Sequence, residues 1–285
     1  MILSMTGFGR AEGIFEGKKV TVEIKSLNSK GMDLSMRVPM RYKEKEFEIR
    51  KVLNDQIMRG KVDCYINSET LEDHHEVRLS KTLLESYMQE LKSVASDGPD
   101  FEYLKMAIRM PEVISSKSEE LTEEEWEFLQ NVLQEALSTF QAFRAEEGRI
   151  LGEELKSNLK FIQQYLGEVE PFESERMDAV KQRYETTLKE FETVDQTRFY
   201  QELAYYTEKL DIAEEKVRLA QHLTYYEEVL ETENQNGKKL GFIAQEMGRE
   251  INTLGSKANH AQIQKLVVKM KDHLEKIKEQ TLNVL

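Results

Sequence analysis

The chain has 285 residues, 39% of them apolar, which is enough for one large domain or two ordinary ones with a packed core. Its 33% of charged residues and only 4 prolines favour long helices that each carry a wide solvated face. The single cysteine, Cys64, excludes a disulfide framework within the chain, and no stretch approaches the roughly 20 consecutive apolar residues that cross a membrane.

The cysteine content and the N-terminal residues both bear on where the protein resides. A lone cysteine is typical of a reducing compartment. The opening residues, MILSMTGFGR, lack the basic region and the long apolar region of a signal peptide. We therefore expect a cytoplasmic protein that has no membrane partner.

The net charge of −13 argues against a nucleic-acid partner, but this charge is unevenly distributed. Residues 1–70 contain 13 basic and 10 acidic residues, and residues 211–285 contain 11 and 12. Residues 71–210 contain 16 basic and 31 acidic residues, so most of the excess acid lies in the middle of the chain. Either end could therefore present a basic surface to phosphates.

The N-terminal quarter has the pattern of a sheet with one helix. Apolar and polar residues alternate over residues 18–27, as in a strand with one buried face, and the glycines before it predict a hairpin with residues 2–12. A second alternation ends at Pro39 and is followed by helical spacing. The predicted elements are strands over 2–12, 18–27, 32–38 and 61–67, and a helix over 43–58.

The rest of the chain has helical periodicity. Ser80 and Thr122 are candidate N-caps, and the residues TEEE from Thr122 resemble a capping box. Apolar residues spaced by three or four from 150 to 191, with a break near Pro171, predict a helical hairpin or a coiled-coil-like arm. The predicted helices cover residues 80–94, 122–143, this hairpin, 196–233, 240–252 and 261–283.

These elements predict an α+β fold. An N-terminal β-rich sheet with a helix is followed by a long, predominantly α-helical region that contains the coiled-coil-like hairpin. The predicted parts are a β-rich part of an α+β domain (1–70), a helical continuation (71–145), the hairpin or arm (146–195), and a C-terminal helical domain with the candidate active site (196–285).

The segment from Asn236 to Asn259 is the most informative for chemistry. Glu246 and Glu250 are four residues apart, so their carboxylates share one helix face a turn apart. Two like charges in this arrangement repel, and a divalent cation bound by their oxygens would offset the repulsion. The alternative is that either glutamate pairs with Arg249 or with another helix.

A second helix carries Asp211, Glu215, Arg218 and His222 at intervals of 4, 3 and 4 residues, which places them on one face. A carboxylate, a guanidinium and an imidazole in a row can bind a metal, relay a proton or clamp a phosphate. The alternative is a salt-bridged helix surface with an ordinary histidine.

Basic and amide side chains also cluster around the N-terminal strands. Such residues at a sheet edge can hold backbone phosphates without reading bases, although scattered lysines and arginines usually only solvate a surface. The sequence contains no cysteine–histidine cluster with zinc spacing, no Walker phosphate loop and no Gly-x-Ser-x-Gly elbow. The candidate phosphate-binding residues at this end are Arg10, Lys25, Asn28, Lys30, Arg37 and Arg41.

These segments resemble the YicC/YloC family of bacterial endoribonucleases. The matching motifs are MTGFGR from Met5, EIKSLNSKGMDLSMRVP from Glu23, RGKVD from Arg59, DIAEEKVRLAQH from Asp211 and GKKLGFIAQEMGREINTLGSKA from Gly237. They occur in the family's order at both ends of the chain, while the middle matches mainly in helical character. Three positions depart from the family pattern: Gly241 and His260, where aspartate is expected, and Gly248, where asparagine is expected.

The resemblance implies a cytoplasmic, metal-dependent enzyme that cuts RNA, assembled as a ring-like homo-hexamer with a central cavity. It also implies that the polar residues between positions 245 and 257 form the functional region, with those at positions 211–222 close by. Because Gly241 lacks a carboxylate, the metal site is not assigned to that position.

The resulting hypothesis is hydrolysis of internal phosphodiester bonds of RNA with Mg²⁺ or Mn²⁺. The first rival is a non-catalytic RNA-binding adaptor that presents RNA to other nucleases, and the second is a helical scaffold without salt-sensitive RNA affinity. The catalytic candidates are Glu246, Glu250, Arg249 and His222. The candidate metal ligands are Glu246, Glu250, Asp211 and Glu215. The RNA-binding candidates are the six N-terminal residues together with Arg218, Asn252, Ser256 and Lys257.

Overall fold

The N-terminal part of the chain is a four-stranded sheet in the computed structural model, which describes residues 2–71, 77–116, 121–189, 196–233 and 236–285. The strand order is β1-β2-β4-β3, with β3 parallel to β4 and the other pairs antiparallel. A short 3₁₀ helix (Met40–Lys45) and α1 (Glu46–Gln56) make the crossover between the parallel strands. The strands are β1 (Gly7–Phe15), β2 (Lys18–Leu27), β3 (Met32–Arg37) and β4 (Gly60–Thr70).

The remaining described residues are predominantly helical, so the predicted α+β class is confirmed. A small two-stranded sheet of β5 (Val77–Leu79) and β6 (Ile114–Ser116) accompanies the first two of these helices. The helices are α2 (Lys81–Val94), α3 (Asp100–Ala107), α4 (Glu123–Gly167), α5 (Glu170–Lys189), α6 (Gln196–Leu210), α7 (Ala213–Thr232), α8 (Gly237–Ala258) and α9 (Ala261–Thr281).

Several helix boundaries differ from the predictions, and two of the differences change the organisation of the chain. Helix α4 runs without interruption for 45 residues, so the predicted boundary between residues 145 and 146 falls inside it. The helix predicted over 196–233 is two helices, because the chain leaves helical geometry at Asp211 and Ile212 between α6 and α7. The residues predicted to form a hairpin belong to the C-terminal part of α4 and to α5, and Pro171 lies in the first turn of α5, where proline is tolerated.

Helix α4 contributes to both hydrophobic cores of the molecule. Its first half, from Trp126 to Phe140, covers one face of the four-stranded sheet. Its second half, from Leu151 to Leu166, packs with α7, α8 and α9 in a helical core. A single rigid helix therefore sets the position of the sheet relative to the C-terminal helices.

Small residues on β1 allow the sheet to approach α4 closely. Gly7, Gly9, Ala11 and Gly13 alternate along the strand and all point toward the helix. A Cβ atom on Gly9 would collide with the Ala136 carbonyl oxygen and lie 2.6 Å from Phe140 Cβ. The glycines of the MTGFGR motif are therefore explained by packing.

A buried arginine ties three strand ends to α4 at the junction of the two cores. Arg144 is 4% exposed, and its Nη2 donates to the Met5 carbonyl (2.9 Å), the Arg59 carbonyl (3.0 Å) and Ser26 Oγ (3.2 Å). Burial lowers the pKa of Arg144 to about 10. The guanidinium thus holds the starts of β1 and β4 and the end of β2 on one helix.

Within the described residues, no helix combines the length and the apolar character needed to cross a bilayer.

We predict that Gly9→Ala destabilises the protein by about 1–3 kcal/mol, because the added methyl group strikes the backbone of α4. Gly241→Ala is the matched control. A Cβ there meets nothing within 4 Å, so removing a glycine from a helix interior should stabilise it by up to about 1 kcal/mol. Urea unfolding of both variants measures the difference, and equal effects of the two would contradict this packing.

Candidate active site

Helix α8 presents three different faces. Its apolar face, which includes Ile243, Met247 and Leu254, is buried among α4, α7 and α9. A flank of half-buried polar residues follows the helix at intervals of three or four: Glu246, Glu250, Thr253 and Lys257. The exposed outer row consists of Lys238, Phe242, Gln245, Arg249, Asn252 and Ser256.

The two glutamates predicted to act together have different surroundings. Glu246 forms an ion pair with Arg249, whose Nη1 lies 2.8 Å from Oε1 and donates a 3.1 Å hydrogen bond to Oε2. Arg249 is 72% exposed at its side chain, so this pair contributes little stability and can open. Glu250 makes no hydrogen bond or ion pair with any residue that the structure describes.

At the C-terminal end of the flank, Lys257 pairs with a buried carboxylate of α7. Lys257 Nζ lies 2.7 Å from Oε1 of Glu215, a residue that is 4% exposed. The other oxygen, Oε2, is buried and has no hydrogen-bond partner among the described residues. The ion pair joins α7 and α8, the two helices whose sequences carry the candidate site residues.

The antiparallel packing of α7 and α8 brings His222 into the same groove. Lys257 contacts Glu215 at one end of the pair, and Lys239 lies over the Tyr225 ring, 5.1 Å from its centroid, at the other. Because His222 lies between Glu215 and Tyr225 on α7, it lies opposite the stretch of α8 between Lys239 and Lys257. His222 also lies two helical turns from Glu215 on the same face of α7.

The predicted row from Asp211 to His222 does not form a connected ladder. Asp211 precedes α7, and its Oδ1 accepts a 2.9 Å hydrogen bond from the Ala213 N–H two residues later, as in an Asx turn. Arg218 forms an ion pair with Glu214, four residues earlier on the exposed surface. Glu215 and His222 therefore face α8, whereas Asp211 and Arg218 are engaged elsewhere.

The carboxylates that this geometry brings together bear on the predicted metal site. Among the residues that the structure describes, no group of three or more His, Cys, Asp or Glu side chains is arranged to hold a metal ion. Glu246 and Glu250 supply two carboxylates, one of which is engaged by Arg249. The four predicted ligands of a single chain therefore do not fit a metal centre in this arrangement.

Three of the predicted N-terminal residues lie on the solvent-facing side of the sheet. Arg10 is 3.4 Å from Glu12, Lys25 is 2.5 Å from Glu23, and Arg37 lies over the Tyr65 ring, 5.4 Å from its centroid. The positive charges of Arg10 and Lys25 are thus partly balanced by neighbouring acids. They remain candidates for RNA contact.

The other predicted N-terminal residues are not part of this face. Asn28 Nδ2 donates a 2.6 Å hydrogen bond to the Leu282 carbonyl, which joins the β2–β3 loop to the C-terminal end, and Lys30 is exposed in the same loop. Arg41 is bound to the buried carboxylate of Glu125, with Nε 2.6 Å from Oε1, and the Tyr42 hydroxyl donates to the same oxygen at 2.9 Å. We therefore assign Arg41 a structural role.

Asn252 and Ser256, predicted to contact RNA, lie on the exposed outer row of α8. Asn252 makes no hydrogen bond within the described part of the chain, whereas Ser256 Oγ donates to the Thr253 carbonyl at 2.9 Å. Both are accessible to a ligand that approaches from this side.

Sequence reasoning did not find Arg176, which holds the C-terminal end of α8. This α5 residue is 4% exposed, and it donates from Nη1 to the Ala258 carbonyl (3.1 Å) and from Nη2 to the Leu210 carbonyl (2.7 Å). Burial lowers the pKa of Arg176. No local motif marks this role, because its acceptors lie 34 and 82 residues away along the chain.

We predict that Arg41→Met lowers the free energy of unfolding by about 3–5 kcal/mol, because the carboxylate of Glu125 is left buried and unpaired. Burial raises the pKa of Glu125, but hydrogen bonds from Arg41 and Tyr42 outweigh it and hold that pKa below its usual value. The contribution of the pair is therefore present at neutral pH, and it is lost as the pH falls through the folded-state pKa.

Arg10→Met is the matched control, because the Arg10–Glu12 pair is exposed and screened by solvent and should therefore contribute little to stability. Urea unfolding followed by Trp126 fluorescence measures both variants. If Arg41→Met were as mild as Arg10→Met, the structural role of Arg41 would be wrong.

Comparison with known proteins covers both halves of the chain. Residues 2–153 match the model of the N-terminal region of YicC-like endoribonucleases, and residues 169–285 match the model of their C-terminal region. Two curated relatives, each called "Probable endoribonuclease YicC", align over the whole of both chains. The relative from Clostridioides difficile is 30% identical over 295 residues, and that from Haemophilus influenzae is 29% identical over 290. The family suggested by the sequence motifs is thereby confirmed, and the chain belongs to the YicC-like endoribonuclease family.

Proposed function

We propose that this protein is an endoribonuclease that cuts RNA at internal phosphodiester bonds. Membership of the YicC-like family over both halves of the chain is the observation that carries the proposal. The full-length relatives named as probable endoribonucleases support it.

The groove between α7 and α8 is the proposed site of cleavage. It combines carboxylates, an imidazole and cations along one line, which are the groups that general acid–base chemistry on a phosphate ester uses. Glu250 has no partner among the described residues, and His222 lies on the face of α7 that carries Glu215 toward α8, so these two side chains are assigned to proton transfer. Arg249 and Lys257 are assigned to the non-bridging phosphate oxygens, because guanidinium and ammonium groups bind phosphate through charge-assisted hydrogen bonds.

Glu246 is assigned to orienting Arg249. Its carboxylate is 20% exposed and holds the arginine at the edge of the groove, while the guanidinium itself is largely exposed. An incoming phosphate competes with a weak surface ion pair, so Arg249 can turn from Glu246 toward the substrate.

Dependence on Mg²⁺ or Mn²⁺ stays a prediction. The carboxylates of one chain do not form a metal centre within the described residues, so the roles above are assigned to protein groups alone. The homo-hexameric ring implied by the family resemblance is likewise a prediction, which analytical ultracentrifugation tests.

The rival function is an RNA-binding adaptor without catalysis. The ion pair between Glu246 and Arg249 and the absence of a three-ligand metal group from the described residues favour this alternative. Under it, RNA binding persists while no RNA is cut.

We predict that Glu250→Gln and His222→Ala each lower the cleavage rate of a labelled hairpin RNA by about 100-fold or more, because each removes a group assigned to proton transfer. Glu153→Gln, an exposed α4 residue outside the groove, is the control and should leave the rate unchanged. Parent-level cleavage by both groove variants would remove the groove from the mechanism.

We predict that Glu246→Gln weakens cleavage less than Glu250→Gln, because glutamine still positions Arg249 by a hydrogen bond while the charge is lost. The same assay, with melting curves to verify folding, makes this comparison. A larger loss in Glu246→Gln would instead assign that carboxylate directly to the reacting phosphate.

Chelation tests the metal prediction separately. The family resemblance predicts that saturating EDTA abolishes cleavage and that added Mn²⁺ or Mg²⁺ restores it, whereas roles carried by protein groups alone predict cleavage that survives EDTA. Cleavage that survives EDTA would contradict metal dependence. RNA binding without cleavage, with metal present, would favour the adaptor.

A further inference from the structure

A cleft separates the outer side of α8 from the sheet and from the end of α9. It has a volume of about 580 Å³, within the range of about 300–1,000 Å³ typical of ligand sites. Arg59 and Met5 line it on the sheet side, Lys238, Phe242 and Gln245 on α8, and Glu275, Lys278, Glu279 and Leu282 on and after α9. None of these residues is assigned to cleavage above.

Phe242 is the feature of this cleft that a packing role does not explain. Its ring is 61% exposed, although it lies in a helix whose other apolar residues are nearly all buried. A Cβ at the preceding residue, Gly241, meets nothing within 4 Å, so the space beside the ring is open. A flat, accessible aromatic face is the surface on which an unstacked nucleobase binds.

Two cations beside Phe242 have donors left for a phosphate. Lys238 lies one helical turn before Phe242 and makes no ion pair with any described residue. Arg59 is held by a 2.8 Å hydrogen bond from Nε to the Ser29 carbonyl, and its terminal nitrogens have no acceptor among the described residues. An arginine fixed through Nε presents two free donors, which suits a phosphate.

A second, smaller cleft adjoins the first and extends the path that a bound RNA strand would follow. It measures about 240 Å³ and shares Arg59, Gly237 and Lys238 with the first. The sugar–phosphate backbone of an RNA strand bound by Arg59 and Lys238 can therefore continue on both sides of these two cations. The two acids of the cleft, Glu275 and Glu279, lie on the opposite wall on α9, where Glu275 is paired with Lys278 at 2.7 Å.

We propose that this cleft is a subsite for single-stranded RNA, in which one nucleobase stacks on Phe242 while Arg59 and Lys238 bind the adjacent phosphate. Gln245, exposed and without a hydrogen-bond partner in the described residues, faces the same cleft and can pair with a base edge. The subsite rests on RNA being the substrate, as proposed above. It places the strand along the outer row of α8, next to the groove that holds Glu250.

A tryptophan at position 242 reports stacking directly. The chain has one tryptophan, Trp126, which is 7% exposed, so emission from Phe242→Trp is distinguishable from that of the parent. We expect a short oligouridylate to quench this emission saturably, and an RNA duplex of equal length to quench it less. Phe47→Trp is the matched control, because Phe47 is 77% exposed on α1 and does not line the cleft.

Affinity measurements complete the test. Phe242→Ala should weaken oligouridylate binding about 5- to 150-fold, Phe242→Tyr should retain it, and Lys238→Ala should weaken it with a smaller salt dependence. Circular dichroism and melting curves verify that the variants fold.

The outcomes separate the subsite from the proposed function. If the parent cuts hairpin RNA but position 242 shows no quenching, the subsite is overturned and the endoribonuclease proposal stands. If quenching occurs but no RNA is cut, the subsite stands and catalysis fails. If Phe242→Ala alters sedimentation and leaves RNA affinity unchanged, a second copy of the chain covers the ring and the subsite is overturned.

Discussion

The continuity of α4 is the constraint on which the arrangement of this molecule depends. One half of the helix is part of the sheet core and the other half is part of the helical core, and Arg144 binds three strand ends between them. Because an α-helix of 45 residues is stiff, the sheet cannot shift independently of α8 and α9. The position of Arg59 opposite the first turn of α8 follows from this constraint.

Helix α8 presents most of the candidate site residues on that scaffold. Its buried face is anchored by α4, α7 and α9, and its C-terminal end is held by Arg176. Its flank and outer row then expose polar groups on two adjacent sides, one toward α7 and one toward the cleft. In the proposed arrangement, a strand of RNA along the outer row of α8 passes beside the groove between α7 and α8, which links binding to cleavage.

Local patterns in the sequence predicted most elements, but not their long-range contacts. Alternation and helical spacing located β2, β3, β4, α1 and α8, since each pattern reflects one buried face. The parallel pairing of β3 with β4 could not be predicted, because it depends on a crossover rather than on local periodicity. The break at Asp211 was missed because apolar spacing continues across it from α6 into α7.

The surroundings of individual side chains were also only partly predictable from local patterns. Thr122 does cap α4, accepting a hydrogen bond from the Glu125 N–H at 3.2 Å, but the Glu125 side chain binds Arg41 and Tyr42 rather than completing a capping box. Nothing near Arg41 in the sequence indicates a buried carboxylate 84 residues later. Phe242 was overlooked because an exposed aromatic next to Ile243 has the same local pattern as a core residue.

Mapping of RNA contacts on the intact protein tests the central claim most directly, namely that RNA lies along α8. Ultraviolet crosslinking of bound RNA followed by mass spectrometry identifies the peptides in contact with it. The account predicts crosslinks in the peptide that contains Phe242, with further crosslinks near Arg59. Crosslinks confined to α2 and α3, with none on α8, would contradict it.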